Sequence, residues 1–203
     1  ESPTHPPPPV YRVERVDGLL IERDVAVKLR DGVTLYADIY RADGPVGERD
    51  VAAIVGWGPY GKHTVNRAYA PESGVRPQWL SRHAGFEAND PAYWCPRGYA
   101  VVYPNPRGTW YSEGEMQHGG IIAAIQYQVA PLKPPHLAAI NPWEAFNDWY
   151  REFAYHGGIR ETGFLPYATN NINWSLNQTT DTMANVLAHP LYDEFWESRE
   201  NQL

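Results

Sequence analysis

Three side chains in one short stretch, Glu113, Glu115 and His118, are of the types that ligate a divalent metal. Their E-x-E-x-x-H order lacks the i, i+4 pair of a metal-binding helix, and Gly114, Gly119 and Gly120 mark a loop around them. The pattern reads as a solvated charge cluster, and neither a metal nor a cofactor is expected. Nucleophilic catalysis would need a hydroxyl or thiol presented beside a base. The serines are Ser2, Ser73, Ser81, Ser112, Ser175 and Ser198, and none lies in a G-x-S-x-G elbow after an apolar strand. His136 and His156 stand alone, which suits packing or surface roles better than ligation. Tyr60 lies in a loop with Trp57, Trp79 and Trp94, where a tyrosine ordinarily packs.

The elements around these residues belong to an α/β protein. With 203 residues, 43% of them hydrophobic and 20% charged, the chain can bury one sizeable core. A net charge of -7 without any Lys/Arg cluster argues against nucleic acid as a partner. No apolar run approaches the roughly 20 residues that cross a bilayer, and the N-terminus lacks signal-peptide order, so no membrane role and a cytoplasmic location are expected. Cys95 is the only cysteine, which fits a reducing compartment. The oligomeric state is open. The start at Glu1 rather than Met reads as a processed or incomplete boundary.

Residues 1–10 hold five prolines and read as a polyproline-like tail. VAVKLRDGVTLYADIY (25–40) alternates on both sides of Asp31-Gly32 and predicts an antiparallel hairpin. VAAIVG (51–56) and YAVVY (99–103) are continuously apolar and predict central parallel strands covered on both faces. Residues 121–130 suggest a crossover helix, with LAAI (137–140) as a third buried strand. Trp143, Phe146, Trp149, Tyr150 and Phe153 recur at helical spacing and predict an amphipathic helix broken by Gly157-Gly158, while 172–200 reads as largely helical. The resulting division is a tail (1–10), a core (11–140) and a helical region (141–203).

Four segments, DGVTLYADIYR (31–41), WGPYGK (57–62), GYAVVYPNPRGTWYSEGE (98–115) and PHLAAINPWEAFNDWYREFAYHGG (135–158), together resemble the CocE/NonD acyl hydrolases, related to cocaine esterase and the X-Pro dipeptidyl-peptidases. The resemblance implies a serine esterase or amidase with a Ser-His-Asp triad and a helical cap, acting on a small acyl ester or peptide-like substrate. The architecture it implies is a partial α/β-hydrolase fold with an N-terminal antiparallel hairpin, parallel central strands and part of the cap. It makes Tyr60 an oxyanion donor and places Trp149, Phe153 and Tyr155 in an acyl pocket. Arg107 becomes a loop anchor, and Asn105 stands where relatives often carry Asp. Asp181 and His189 fall in the cap as structural residues. By the same resemblance an internal deletion around Met116 to Ile122 removes the elbow serine, and the family continues past Leu203 to the Asp and His. The expectation is an acyl hydrolase inactive as it stands; the alternative is a pseudoenzyme or binding protein on a hydrolase scaffold.

Overall fold

The computed structural model describes residues 6–65, 73–114, 124–143, 145–171 and 181–200. Residues 6–114 form one compact unit and 124–200 a second, so the division falls ahead of the 140/141 boundary suggested by aromatic patterning.

The first unit is a five-stranded mixed sheet of order β1-β2-β3-β5-β4. Its strands are β1 (Arg12–Val16), β2 (Leu19–Lys28), β3 (Thr34–Ala42), β4 (Ala52–Val55) and β5 (Tyr99–Pro104). The hairpin expected at Asp31-Gly32 is present. β2 and β3 pair antiparallel from Lys28↔Thr34 outward, and Gly32 closes the turn by donating to the Leu29 carbonyl. Further along, Glu22 pairs with Ile39 and Val25 with Ala37, leaving Arg23 and Asp24 opposite Asp38 alone. This two-against-one bulge holds Asp24 at φ 54 and turns an extra side chain inward.

β4 and β5 run parallel, as their apolar runs predict. Only β5 is buried, however. β4 lies at the sheet edge among the described residues, with Val55 52% exposed, so the expectation of two covered faces fails for it. Beneath the sheet Leu19, Ile21, Tyr40, Ala42, Cys95, Val101 and Tyr103 make one core cluster. Burial pushes the Cys95 thiol up to about 11, which leaves it an inert apolar group. The described part of the segment between the parallel strands contains the short helix α1 (Pro91–Trp94), capped by the Asp90 carboxylate, and two 3-10 turns at Pro77–Trp79 and Cys95–Arg97.

The second unit begins with α2 (Ala124–Val129), inside the predicted helix 121–130. LAAI at 137–140 is not a strand: it is coil, with Leu137 41% exposed. With no third strand there, α2 is no crossover. The helix expected over 143–155 is also largely absent. Only Tyr150–Ala154 coils, as a π-helical turn, and Trp143 is 74% exposed. The cause is local, because Asp148 accepts from the Arg151 N–H at 2.7 Å while Glu152 accepts from the Asn147 N–H at 2.7 Å, making 147–148 a capped start.

Gly157 and Gly158, at φ 61 and 82, turn the chain between β6 (Tyr155–His156) and β7 (Ile159–Arg160), the mirror-image geometry that suits a two-residue hairpin. Then come α3 (Phe164–Asn171), α4 (Thr182–Ala188) and α5 (Glu194–Glu197); of the stretch 172–200 expected to be helical, 172–180 lies outside the described residues and 181–200 holds α4 and α5. These elements close over Trp149, Tyr150, Phe153, Ala154, Tyr155, Leu165, Val186 and Trp196. No helix among the described residues is long and apolar enough to cross a membrane.

Candidate functional site

Tyr60 lies in the loop that leaves the C-terminal end of β4, and Asn105 directly follows β5, so both sit where open parallel sheets place ligand sites. The Gly56 N–H still donates to Val102, which carries the sheet pairing into the loop. There the chain turns tightly, and the Thr64 hydroxyl reaches the Tyr60 and Gly61 carbonyls at 3.4 and 3.2 Å. Tyr60 is 8% exposed and meets the Phe86 ring edge-on at 4.9 Å. Gly58, Tyr60, Phe86 and Tyr103 line a small cleft whose free space of about 20 Å³ suits a water rather than an acyl chain.

Gly61 has φ +63, and a Cβ there would fall 2.4 Å from Asn105 Oδ1. The loop is therefore pressed against Asn105, which no side chain larger than hydrogen would permit. The same Oδ1 accepts the Lys62 N–H at 2.9 Å. Lys62 then buries its side chain under the sheet. Its Nζ lies 2.5 Å from Asp24 Oδ1 and 2.9 Å from Asp38 Oδ1, with all three side chains nearly enclosed. Arg23 donates to Asp38 and to the Tyr40 hydroxyl, both at 2.8 Å, and Arg12 and the Val10 N–H close on Asp24 at 3.1 Å. Burial alone would raise the Asp24 carboxyl. The hydrogen bonds from Lys62 and Val10, with the Lys62 and Arg12 charges, instead hold it below its ordinary 3.8.

Asn105 Nδ2 faces His63 Nε2 at 3.0 Å. Because the amide Oδ1 already accepts from Lys62, Nδ2 must donate, so His63 Nε2 accepts and the ring is neutral with its proton on Nδ1. Burial and the adjacent Lys62 cation push His63 down to about 4, in agreement. Asn105 thus supplies the donor that a neutral His63 requires.

Arg107 behaves as the loop anchor expected, bonding Asp31 at 2.6 Å. Ser112 and Glu113 dock that loop on β3: Ser112 Oγ accepts the Tyr36 N–H while donating to the Asn105 carbonyl, and Glu113 Oε2 accepts the Thr34 N–H. Glu113 is thereby occupied structurally, whereas Glu115, His118 and the 116–122 junction lie outside the described residues. No grouping of three metal-ligating side chains occurs among those described. Asp181 caps α4 through the Ala184 N–H, and His189 pairs with Asp193 at 2.6 Å, both structural uses. His136 is exposed, and His156 bonds the Glu152 carbonyl. Trp149, Phe153 and Tyr155 share the aromatic cluster of the second unit, where the Tyr155 hydroxyl donates to Val186 at 2.8 Å.

Sequence reasoning missed Asp24, Asp38 and His63 entirely. The available signal was one aspartate inside each strand of the hairpin, and a lysine in the turn after β4.

Residues 31–122 match the X-Pro dipeptidyl-peptidase (S15 family) profile. No curated protein sequence matches. Among solved structures, a CocE/NonD family hydrolase from Staphylococcus aureus is similar in two crystal structures, at 32% identity and TM-score 0.78, and at 29% and 0.73. These alignments cover 91% and 96% of this chain but only 39% and 41% of those chains. An alpha-amino acid ester hydrolase shares the fold at 15% identity and TM-score 0.58, covering 98% of this chain and 43% of its own. The chain is thus similar to CocE/NonD hydrolases along most of its own length and to the X-Pro dipeptidyl-peptidase (S15) family over residues 31–122, and it spans about two fifths of the length of the solved relatives it matches.

Proposed function

We propose that the chain supplies the oxyanion side of a serine hydrolase that cleaves small acyl esters or peptide-like amides, with the Tyr60 hydroxyl donating to the tetrahedral oxyanion. The observation that carries this reading is the placement of Tyr60 at the C-terminal end of a parallel strand, in a loop fixed from below by Lys62 and Asn105. A donor held in advance of the reaction stabilises charge as it develops, without reorganising. The same reading assigns Trp149, Phe153 and Tyr155 to an acyl-pocket wall, which they would support from within the aromatic core that buries them. The lone, inert Cys95 suits work in the cytoplasm.

The 203 residues contain no G-x-S-x-G segment, and the described serines are engaged elsewhere: Ser73 with the Val75 N–H, Ser81 with Asp90, Ser112 with Asn105 and Ser198 with Phe195. By itself the chain therefore acylates nothing. We read Met116 to Ile122 as the junction where the elbow belongs. Sequencing the transcript across codons 115 to 123 and treating its product with a fluorophosphonate probe tests this. The reading requires an inserted elbow and a labelled serine, with no labelling of the 203-residue chain. An uninterrupted transcript, or labelling of the chain as it stands, overturns it and leaves a binding protein on a hydrolase scaffold.

A further inference from the structure

We propose that Lys62, clamped between Asp24 and Asp38, is a positioning residue whose task is to fix the Tyr60 hydroxyl in place, an inference that rests on Tyr60 being the oxyanion donor. Lys62 follows Tyr60 by one glycine, and it is tied at both ends. Its backbone N–H is held by Asn105 and its ammonium by two carboxylates, so the turn between cannot shift without breaking one of them.

Stability alone does not explain the arrangement. Enclosing an ammonium and two carboxylates carries a desolvation penalty that well-packed apolar side chains of similar volume avoid. Two further features are spent on bringing the charges together: the bulge at Arg23 and Asp24, and the left-handed backbone of Asp24 at φ 54, a conformation a non-glycine residue rarely adopts. The Asp24 N–H donates to Asp38 Oδ1 at 3.0 Å, and Arg23 takes the other Asp38 oxygen. Each carboxylate is thus oriented by groups other than Lys62, which makes the pair a rigid seat for one ammonium. Lys62 cannot reach a substrate itself, because its side chain is 5% exposed and points into that seat. Its effect must pass through the loop, and the loop residue with a reactive-site role is Tyr60.

The test uses the product of the full coding sequence. Lys62→Met should lower kcat by about ten- to a hundredfold with KM within about threefold, because a misplaced donor weakens the transition state more than the substrate complex. In a Tyr60→Phe background the same change should cost less than about twofold further, since the hydroxyl it positions is gone. Adding Asp24→Asn to Lys62→Met removes the surplus carboxylate while leaving Asp38 paired with Arg23, and should restore much of the melting temperature without restoring kcat. A wild-type kcat in Lys62→Met, or an equal loss in both backgrounds, overturns the proposal. If Tyr60→Phe itself leaves kcat unchanged, the oxyanion assignment falls while the positioning claim stays testable. 3-Fluorotyrosine placed at position 60 should give one narrow fluorine resonance that Lys62→Met broadens or splits. An unaltered resonance refutes positioning.

Discussion

Around Tyr60 the buried residues are charged: Lys62, Asp24 and Asp38 share hydrogen bonds of 2.5 and 2.9 Å under the sheet, with Asn105 and His63 beside them. In the 124–200 unit the buried residues are aromatic. Phe146 stacks on Phe153 at 4.9 Å, Tyr150 on Tyr155 at 5.0 Å, and Trp196 tilts against Tyr150 at 5.6 Å. The Tyr150 and Tyr155 hydroxyls and Trp196 Nε1 each donate to a backbone carbonyl, those of Pro190, Val186 and His189. The contrast separates two tasks. Rings supply apolar area and tolerate small shifts, whereas a buried ion network yields little net energy but accepts one geometry. A reactive hydroxyl needs the second kind of support.

The largest effects should break the two units in different ways. Trp196→Ala should cost about 3–5 kcal/mol in urea unfolding, as large-to-small changes of a buried aromatic do. Asp38→Ala should cost a similar amount, about 3–5 kcal/mol, because Lys62 and Arg23 both lose a carboxylate partner. Only the latter should be partly recoverable, because neutralising Lys62 and Asp24 as well leaves Arg23, still paired with Glu14, as the one inner cation, while no second polar change refills the space left by an indole. Equal resistance of both variants to such rescue would erase the distinction.

The next effect is pH dependence confined to the sheet unit. His63 titrates at about 4 in the folded chain against an ordinary 6.5. Between those values the unfolded chain takes up a proton that the folded one refuses, so the His63 contribution is complete above 6.5 and falls as pH drops, levelling near 4. The loss is at most about 3 kcal/mol, and His63→Gln should flatten that slope in melts taken from pH 7 to 4. A slope unchanged by the substitution would mean that His63 is not held neutral. Smallest of all, Arg151→Ala should leave the urea midpoint almost unmoved, since Arg151 is exposed where it meets Asp148.

Legibility in the sequence followed the same division. The β2–β3 hairpin was readable because alternation and Asp31-Gly32 are local signals, and the parallel β4–β5 pair because both runs are short, apolar and β-branched. The exposure of β4 was not, since an apolar run reports a preference for burial and not the presence of a neighbouring strand. LAAI failed for the reason that such short runs are ambiguous: four apolar residues carry no periodicity. The helical spacing of Trp143 to Phe153 correctly gathered Phe146, Trp149 and Phe153, yet Asp148 and Glu152 spent their carboxylates on backbone N–H groups and ended the helix before it began. Tyr60 emerged through its motif. Its supports did not, because Asp24, Asp38 and Lys62 meet only through a bulge in β2 and a separation of up to 38 residues that no spacing rule reports.

Tyr60→Phe, made in the product of the full coding sequence and followed by steady-state hydrolysis of an activated ester, tests the central claim most directly. Loss of one oxyanion donor should lower kcat by about 10- to 1,000-fold while KM stays within about threefold. An unchanged kcat, or a loss expressed wholly in KM, would contradict Tyr60 as the group that meets the oxyanion.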